Sequence, residues 1–154
     1  MLFLPDVVEL PPDVALELSN STASWIDLSG VRTLSPESAR NLGGYPGRLM
    51  LGGLATLDAE SARALVSGPL MELIIQGPDL DQQTLAALMR MRGEYPQLNI
   101  HLDLSDPKAA VLADFRGRAL KVRGRGSIHA SVAQALVRSQ ARWLHVEGIG
   151  QLDL

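Results

Sequence analysis

The chain has 154 residues and a formal net charge of −3, with 46% apolar but only 4% aromatic residues. This length suits one domain whose core is built from Leu, Val, Ile and Ala, and the charge gives no general attraction to nucleic acid or an anionic membrane. The chain contains no cysteine, which excludes disulfides, thiolate metal sites and a cysteine nucleophile.

The first residues do not resemble a targeting segment. Residues 1–4 are apolar, but Pro5 and Asp6 follow at once, so the basic start and longer apolar run of a secretion signal are missing. No stretch approaches the ~18–20 apolar residues of a membrane-spanning helix. We therefore expect a cytoplasmic protein that binds neither a membrane nor nucleic acid.

A short apolar alternation recurs along the chain and predicts strands. It begins near residues 2, 26, 49, 73, 100, 120 and 144. In Ile26-Asp27-Leu28, for example, the two apolar side chains share one face of a strand. Recurrence at a spacing of about 24 residues is typical of repeat proteins. We therefore predict one repeat domain over residues 1–154.

A helix is predicted after most of these strands. The predicted starts are Ser35-Pro36-Glu37, Asp58-Ala59-Glu60, Asp81-Gln82-Gln83, Asp106-Pro107 and, later in the chain, His129. Ser and Asp accept hydrogen bonds from the first turn of a helix, and Pro fits the first helical position. Within each predicted helix two apolar residues recur three positions apart, in most cases an alanine before a leucine, as Ala39 precedes Leu42, which gives an apolar stripe.

The repeated unit resembles a known family. The stretch Leu49-Met50-Leu51-Gly52-Gly53-Leu54, followed by Asp58-Ala59-Glu60-Ser61-Ala62, is similar to bacterial leucine-rich repeats of the LxLxGLxxLSxEAAxAL type. We expect an α/β, right-handed, leucine-rich-repeat-like solenoid with a parallel sheet of about seven strands on one side and about six helices on the other. Val31, Leu54 and Pro78 stand where the family usually has Asn or Cys, so no asparagine ladder is expected.

The resemblance also implies protein–protein recognition through the exposed face of the sheet. The residues predicted to bind a protein partner are Phe3, Trp25, Asp27, Met50, Ile74, His101, Asp103, Lys121, Arg123 and His145. The N-terminal half of this set is largely apolar and favours a recognition patch, unless loops cover it. The C-terminal half is charged and fits either a binding surface or cross-strand ion pairs. We predict a non-catalytic recognition module.

An enzyme is the less favoured alternative. It would be centred on His101, Asp103 and His145, where a carboxylate beside a histidine could support acid–base chemistry. No phosphate loop, nucleophile elbow or cofactor fingerprint accompanies these residues. Lys121 lies between the two histidines in the predicted sheet, and its charge opposes a metal ion. We therefore predict no catalytic residue, no cofactor and no metal site.

Self-association is the other alternative. No predicted helix follows the last strand, so its edge would leave unpaired main-chain groups beside apolar side chains. The residues predicted for this contact are Trp143, Leu144, Val146 and Leu152. Such an edge would pair with a second copy to give a homodimer, or would continue into further repeats. Prolines at 5, 11 and 12 disfavour strand pairing at the opposite end.

Overall fold

The computed structural model of the protein describes residues 1–92, 96–125, 127–148 and 151–152. The strands within this part of the chain are Leu2–Phe3 (β1), Trp25–Asp27 (β2), Arg48–Leu51 (β3), Glu72–Ile75 (β4), Gln97–Asp103 (β5), Ala119–Arg125 (β6), Ser127–Ile128 (β7), Trp143–Glu147 (β8) and Gln151–Leu152 (β9). The α-helices are Pro12–Ser19 (α1), Pro36–Gly43 (α2), Ala59–Leu65 (α3), Gln82–Leu88 (α4) and Ala130–Arg138 (α5), and a 3₁₀ helix spans Pro107–Asp114.

The main sheet is parallel and follows the order of the chain. Its seven strands are arranged as β1-β2-β3-β4-β5-β6-β8, while β7 and β9 form a separate parallel pair. The helices also contact one another in chain order, from α1 through α4 to the 3₁₀ helix and α5. The predicted α/β fold with a seven-stranded parallel sheet and six helices is confirmed, the fifth helix being 3₁₀. We call each strand of the main sheet, with the helix that follows it, a layer.

The core lies between the sheet and the helices. Alternate residues of the strands form two inward rows, and in the inner layers these residues are almost completely buried. One row contains Ile26, Leu49, Leu73, Leu98 and Leu120, and the next row contains Leu51, Ile75, Ile100 and Val122. Burial of one such side chain contributes about 1.5–3 kcal/mol. The alternation leaves the opposite face of the sheet for solvent or a partner.

The register of β5 differs from the alignment made on sequence. Leu73 lies opposite Leu98, and Leu98 lies opposite Leu120, whereas the sequence pattern placed Ile100 in that row. The apolar alternation of β5 is unusually long, so more than one of its apolar residues could be aligned with Leu73. Because side chains alternate with a period of two, a shift of two residues keeps the same face inward.

Side chains cap the helices at the residues expected from the sequence. Ser35, Asp58 and Asp81 each accept a hydrogen bond from the backbone N–H three residues later. Asp106 and His129 accept from the backbone N–H two residues later. The predicted helix starts are therefore confirmed, although the fourth of them opens a 3₁₀ helix.

Buried hydroxyl groups connect the early layers. Ser38, Ser61 and Thr84 each occupy the third position after a capping residue, and each is at most 1% exposed. Their hydroxyls donate to main-chain carbonyls of the preceding layer, at 2.7 Å to Leu10, 3.0 Å to Leu34 and 3.4 Å to Leu57. This hydroxyl ladder gives buried polar groups their partners. It links the first four layers in chain order.

Two glycines after the strands are required by close packing between layers. A Cβ atom added at Gly30 would lie 2.0 Å from the Pro5 carbonyl oxygen, and one added at Gly53 would lie 1.9 Å from the Ser29 carbonyl oxygen. Neither glycine has a positive φ; in the described residues only Gly77 and Gly148 do. Glycine is therefore required at Gly30 and Gly53 by space and not by a positive φ.

Candidate functional site: the open face of the sheet

The strand register defines the rows of side chains on the open face. The central outward row is Phe3, Asp27, Met50, Ile74, Asn99, Lys121 and His145. Asn99 occupies the place that the sequence alignment gave to His101. His101 instead lies in the next outward row, opposite Arg123, which lies opposite Glu147. Asp103 lies further along, opposite Arg125.

The apolar surface in the N-terminal half of the face is less continuous than the sequence suggests. Phe3 is 59% exposed, and Trp25 and Met50 are partly exposed. Asp27 and Ile74, in contrast, are each only 7% exposed. The Asp27 carboxylate accepts hydrogen bonds from the backbone N–H and the hydroxyl of Ser29. A polar, internally satisfied residue therefore separates Phe3 from Met50, and the apolar residues do not form one uninterrupted strip.

A groove lies beside the open face at the start of the strands. It has a volume of about 510 Å³ and is lined by residues 21–24, Trp25, Pro46, Gly47, Arg48 and Met71. Met71 is 45% exposed, and Arg48 makes an ion pair with Glu72 at 3.4 Å. The indole N–H of Trp25 is buried and has no hydrogen-bond acceptor among the described residues. The groove thus combines apolar walls, one charged rim and one unsatisfied donor.

Sequence reasoning identified Trp25 but missed the other walls of this groove. Pro46 and Met71 precede strands, in connections between layers, and the alternation pattern of the strands does not include them. Met71 stands immediately before Glu72, the first residue of β4. The sequence offered one signal for the wall formed by Met71. This apolar residue comes just before a strand and lies next to outward-facing Arg48 and Trp25 in the parallel register.

The charged half of the face is organised around Glu147. The guanidinium of Arg123 contacts Glu147 Oε1 through Nη2 at 2.6 Å and through Nε at 2.7 Å. Lys121 Nζ lies 3.6 Å from the same oxygen, and His145 Nε2 lies 3.4 Å from Oε2. The hydrogen bond from Arg123 holds the pKa of Glu147 below its usual value. The contacts of Arg123 and Lys121 with Glu147 are cross-strand pairs within the chain, the structural alternative that the sequence left open, whereas the contact of His145 lies within β8.

The residues of the predicted enzyme site are spread over the face. His101 and His145 stand on β5 and β8 with β6 between them, so their main chains are roughly 10 Å apart. The carboxylate of Asp103 accepts hydrogen bonds from the backbone N–H and the hydroxyl of Ser105. In the part of the chain that the structure describes, no three acidic or histidine side chains come together as a metal site would require.

A second cavity lies at the carboxyl ends of β4 and β5. It has a volume of about 260 Å³, and its lining includes His101, Asp79, Asp103, Asp106 and Lys108. Lys108 Nζ lies 2.7 Å from Asp79 and 3.2 Å from Asp106. Its hydrogen bond to Asp79 raises the pKa of Lys108 above the usual value. The cation of this cavity is therefore already engaged by carboxylates of the chain.

The residues predicted for self-association lie on the last strand of the main sheet. Trp143 is 53% exposed and stacks on His145 with the ring centroids 5.4 Å apart. Leu144 and Val146 are partly exposed, and in the described chain β8 pairs only with β6. The side chain of Leu152 lies outside the described residues. Self-association through this edge stays a prediction.

Comparisons with known proteins add no assignment. No protein-family model, no curated protein and no solved structure matches this chain. Among the described residues, no helix combines the length and apolar character that crossing a lipid bilayer requires.

Proposed function

We propose that this chain is a leucine-rich-repeat-like, right-handed solenoid and a non-catalytic recognition module that binds a protein partner. The binding surface is the N-terminal half of the open sheet face together with the groove beside it. The chain-order pairing of parallel strands and the chain-order contacts of the helices support the solenoid. Stacked layers of this kind build long surfaces that suit recognition.

The groove lined by Trp25, Pro46 and Met71 is the observation that carries this proposal. Its volume of about 510 Å³ suits one or two apolar side chains of a partner. Trp, Met and Arg are enriched at protein interfaces, and partly exposed aromatic residues at pocket walls are typical anchors. Phe3 and Met50 add two separate apolar contacts on the sheet, one on each side of Asp27.

Two polar features would orient the partner. The Trp25 indole N–H lacks an acceptor in the described chain, and such an unsatisfied donor costs about 1–3 kcal/mol. A small rotation of the ring would offer this donor to a carbonyl of the partner. The exposed Arg48 pairs with the partly buried Glu72 at the rim, where charges contribute more to specificity than to affinity.

The charged half of the face supports catalysis poorly. The Glu147 carboxylate is occupied by Arg123 and Lys121, so it is not a free base. His101 and His145 are on strands that do not pair with each other. A pair of catalytic groups needs hydrogen-bond reach to a common substrate atom. We therefore place recognition, rather than chemistry, on this face.

A photo-crosslinking amino acid at position 71 tests the proposal, with the same amino acid at position 63 as the matched control. Arg63 is exposed on α3, away from the sheet face. Position 71 should give a defined covalent adduct with a partner protein in extract of the source cells, and position 63 should not. Identical adducts at both positions, or none at position 71, would contradict the proposal.

The captured partner then allows a quantitative test. Met71→Asp and Met50→Glu should each weaken its binding at least about tenfold, since loss of an interface anchor costs more than about 1 kcal/mol. Arg63→Glu should leave the affinity unchanged. Circular dichroism of each variant verifies that the fold is retained. Equal affinities for the wild type and Met71→Asp would remove the groove from the binding surface.

A further inference from the structure

The C-terminal end of the stack exposes a helix position that is buried in α2, α3 and α4. Val137 is the eighth residue after the capping residue of α5, and it is 87% exposed. The residues at the same position after α3 and α4 are Val66 and Met89, which are 2% and 3% exposed. In α2 this position is Gly43, which is also buried.

The geometry at Gly43 shows what normally covers this position. A Cβ atom added there would lie 2.7 Å from the carbonyl oxygens of both Ala64 and Leu65 in α3. The eighth position therefore faces the helix of the next layer. For α5 the contacting helix is the 3₁₀ helix on its other side, and no described helix follows α5. In the described chain no following helix covers Val137 as α3 covers Gly43.

The last strand shows the same contrast. Leu144 and Val146 are partly exposed, although the residues of their rows in the inner layers are almost fully buried, such as Leu49 and Leu51 at 0%. Ala133 of α5 is also partly exposed. We call Ala133, Val137, Leu144 and Val146, with the neighbouring Arg138 and Arg142, the C-terminal end surface.

The rim of this surface is basic. Arg138 and Arg142 are both exposed, and neither makes an ion pair with another described residue. Residues 115–148 contain seven Lys and Arg residues and a single acidic residue, Glu147. Because Glu147 is already held by Arg123, it offers little compensation. An apolar floor with cationic edges favours an occupant that is apolar on one side and acidic on the other.

We propose that the C-terminal end surface binds an acidic amphipathic helix of a partner protein. The helix takes the place that the next helix occupies in the inner layers. Its apolar stripe covers Val137 and the exposed edges of the two inward rows that end at Leu144 and Val146. Its carboxylates face Arg138 and Arg142. This mode of recognition buries a helix in an apolar groove.

A second copy of the chain fits this surface less well. Pairing of two β8 edges around a two-fold axis would join the sheets but would bring no described helix over Val137. Head-to-tail stacking meets a steric obstacle, because Asp6 of the next copy stands at the position of Gly30. At Gly30 an added Cβ would lie 2.0 Å from a carbonyl oxygen of the preceding layer. Pro5 also lacks the N–H that strand pairing uses.

A display library of amphipathic helices with a constant apolar stripe and a randomised polar face tests this proposal. Selection on the full wild-type chain, with counter-selection on Val137→Asp, should enrich clones whose polar faces are acidic. Peptides made from these clones should bind Val137→Asp and the double variant Arg138→Glu/Arg142→Glu at least about tenfold more weakly, as expected for loss of an anchor. Rising salt should weaken binding to the wild type.

Three results would overturn the proposal: enrichment without a preference for acidic faces, failure to obtain clones that discriminate Val137→Asp, or a wild-type dimer in light scattering that Val137→Asp dissociates. The last result would identify a second copy as the occupant. Met71→Asp serves as the control and should leave peptide affinity unchanged. The surface is separate from the groove at Trp25, so failure of one proposal leaves the other standing.

Discussion

The two ends of the stack are built from the same repeated unit, but they differ in whether a further layer could pack against them. At the N-terminal end Asp6 stands at the register position that Gly30, Gly53 and Gly77 occupy in the next three layers, and Pro5 removes a main-chain donor. At the C-terminal end Gly148 keeps the glycine, with φ of +79°, and the inward residues of β8 remain partly exposed. One end therefore resists extension, while the other resembles an inner layer without its neighbour.

The first layer also differs from the layers after it at the third position after the capping residue of its helix. In α2 and α3 this position holds Ser38 and Ser61, which are buried and donate to the preceding layer. In α1 it holds Val14, which is 43% exposed. No carbonyl of a preceding layer is present there in the described chain to accept a hydrogen bond. The position is apolar in the two later helices as well, with Ala109 after Asp106 and Val132 after His129, so the hydroxyl ladder belongs to α2, α3 and α4.

We expect the largest difference in stability between a change in an inner layer, Val66→Asp, and the matching change at the C-terminal end, Val137→Asp. Val66→Asp buries an unpaired carboxylate, which costs roughly 3–5 kcal/mol. Val137→Asp should change the free energy of unfolding by less than about 0.5 kcal/mol because the side chain is exposed. Urea unfolding followed by circular dichroism measures both. A comparable loss in the two variants would mean that Val137 is covered in solution.

The glycine position gives the next largest contrast, now with the N-terminal end. Gly53→Ala forces a Cβ atom against the Ser29 carbonyl and should destabilise the chain by about 1–3 kcal/mol. Asp6→Ala, at the matching position of the first layer, should have an effect within about 0.5 kcal/mol. Thermal unfolding of the two variants checks the difference. If Gly53→Ala is neutral, the layers are not in the close contact described here.

The hydroxyl ladder gives a similar or smaller effect. Ser61→Ala leaves the buried Leu34 carbonyl without its partner and should cost about 1–3 kcal/mol. Val14→Ser, which places a hydroxyl at the same position of the first layer, should change stability by less than about 0.5 kcal/mol. Both values are obtained from urea unfolding curves. A stabilising Val14→Ser would show that an acceptor exists at the N-terminal end after all.

The smallest effect concerns the ion pairs of the charged face. The folded-state pKa of Glu147 is lowered, chiefly by the hydrogen bond from Arg123. Its contribution to stability is therefore present above the usual glutamate pKa and is lost as the pH falls through the lowered folded-state pKa. Glu147→Gln should be less stable than the wild type at neutral pH, and the difference should shrink under acid conditions. A difference that grows on acidification would reverse the assigned sign.

The sequence predicted the strands and helix starts because their signals are local. The alternation in Ile26-Asp27-Leu28 and the capping residues Ser35, Asp58 and Asp81 depend on neighbours along the chain. The row of His101 was harder to predict, because a long alternation such as that of β5 does not define its own register. The burial of Asp27 and Ile74 depends on side chains from adjacent strands, which no single repeat unit contains.

The groove and the hydroxyl ladder required the assembled layers. Pro46 and Met71 become neighbours of Trp25 only when the connections between layers pack together. The recurrence of Ser38, Ser61 and Thr84 three residues after a capping residue was visible in the sequence, but Ser and Thr at that position also occur on exposed helix surfaces. Only the distances to the carbonyls of the preceding layer identify them as a link between layers.

The hydroxyl ladder also has a direction along the chain. Every donor belongs to the later layer and every acceptor to the earlier one. During synthesis on a ribosome, the ladder carbonyl of the most recently folded layer therefore has no hydroxyl partner. Water can solvate this carbonyl until the next layer packs against it. Removing layers from the C-terminal side exposes a ladder carbonyl to water, and removing them from the N-terminal side exposes a ladder hydroxyl, which water also solvates. The ladder therefore gains one bond each time a layer packs on the layer before it.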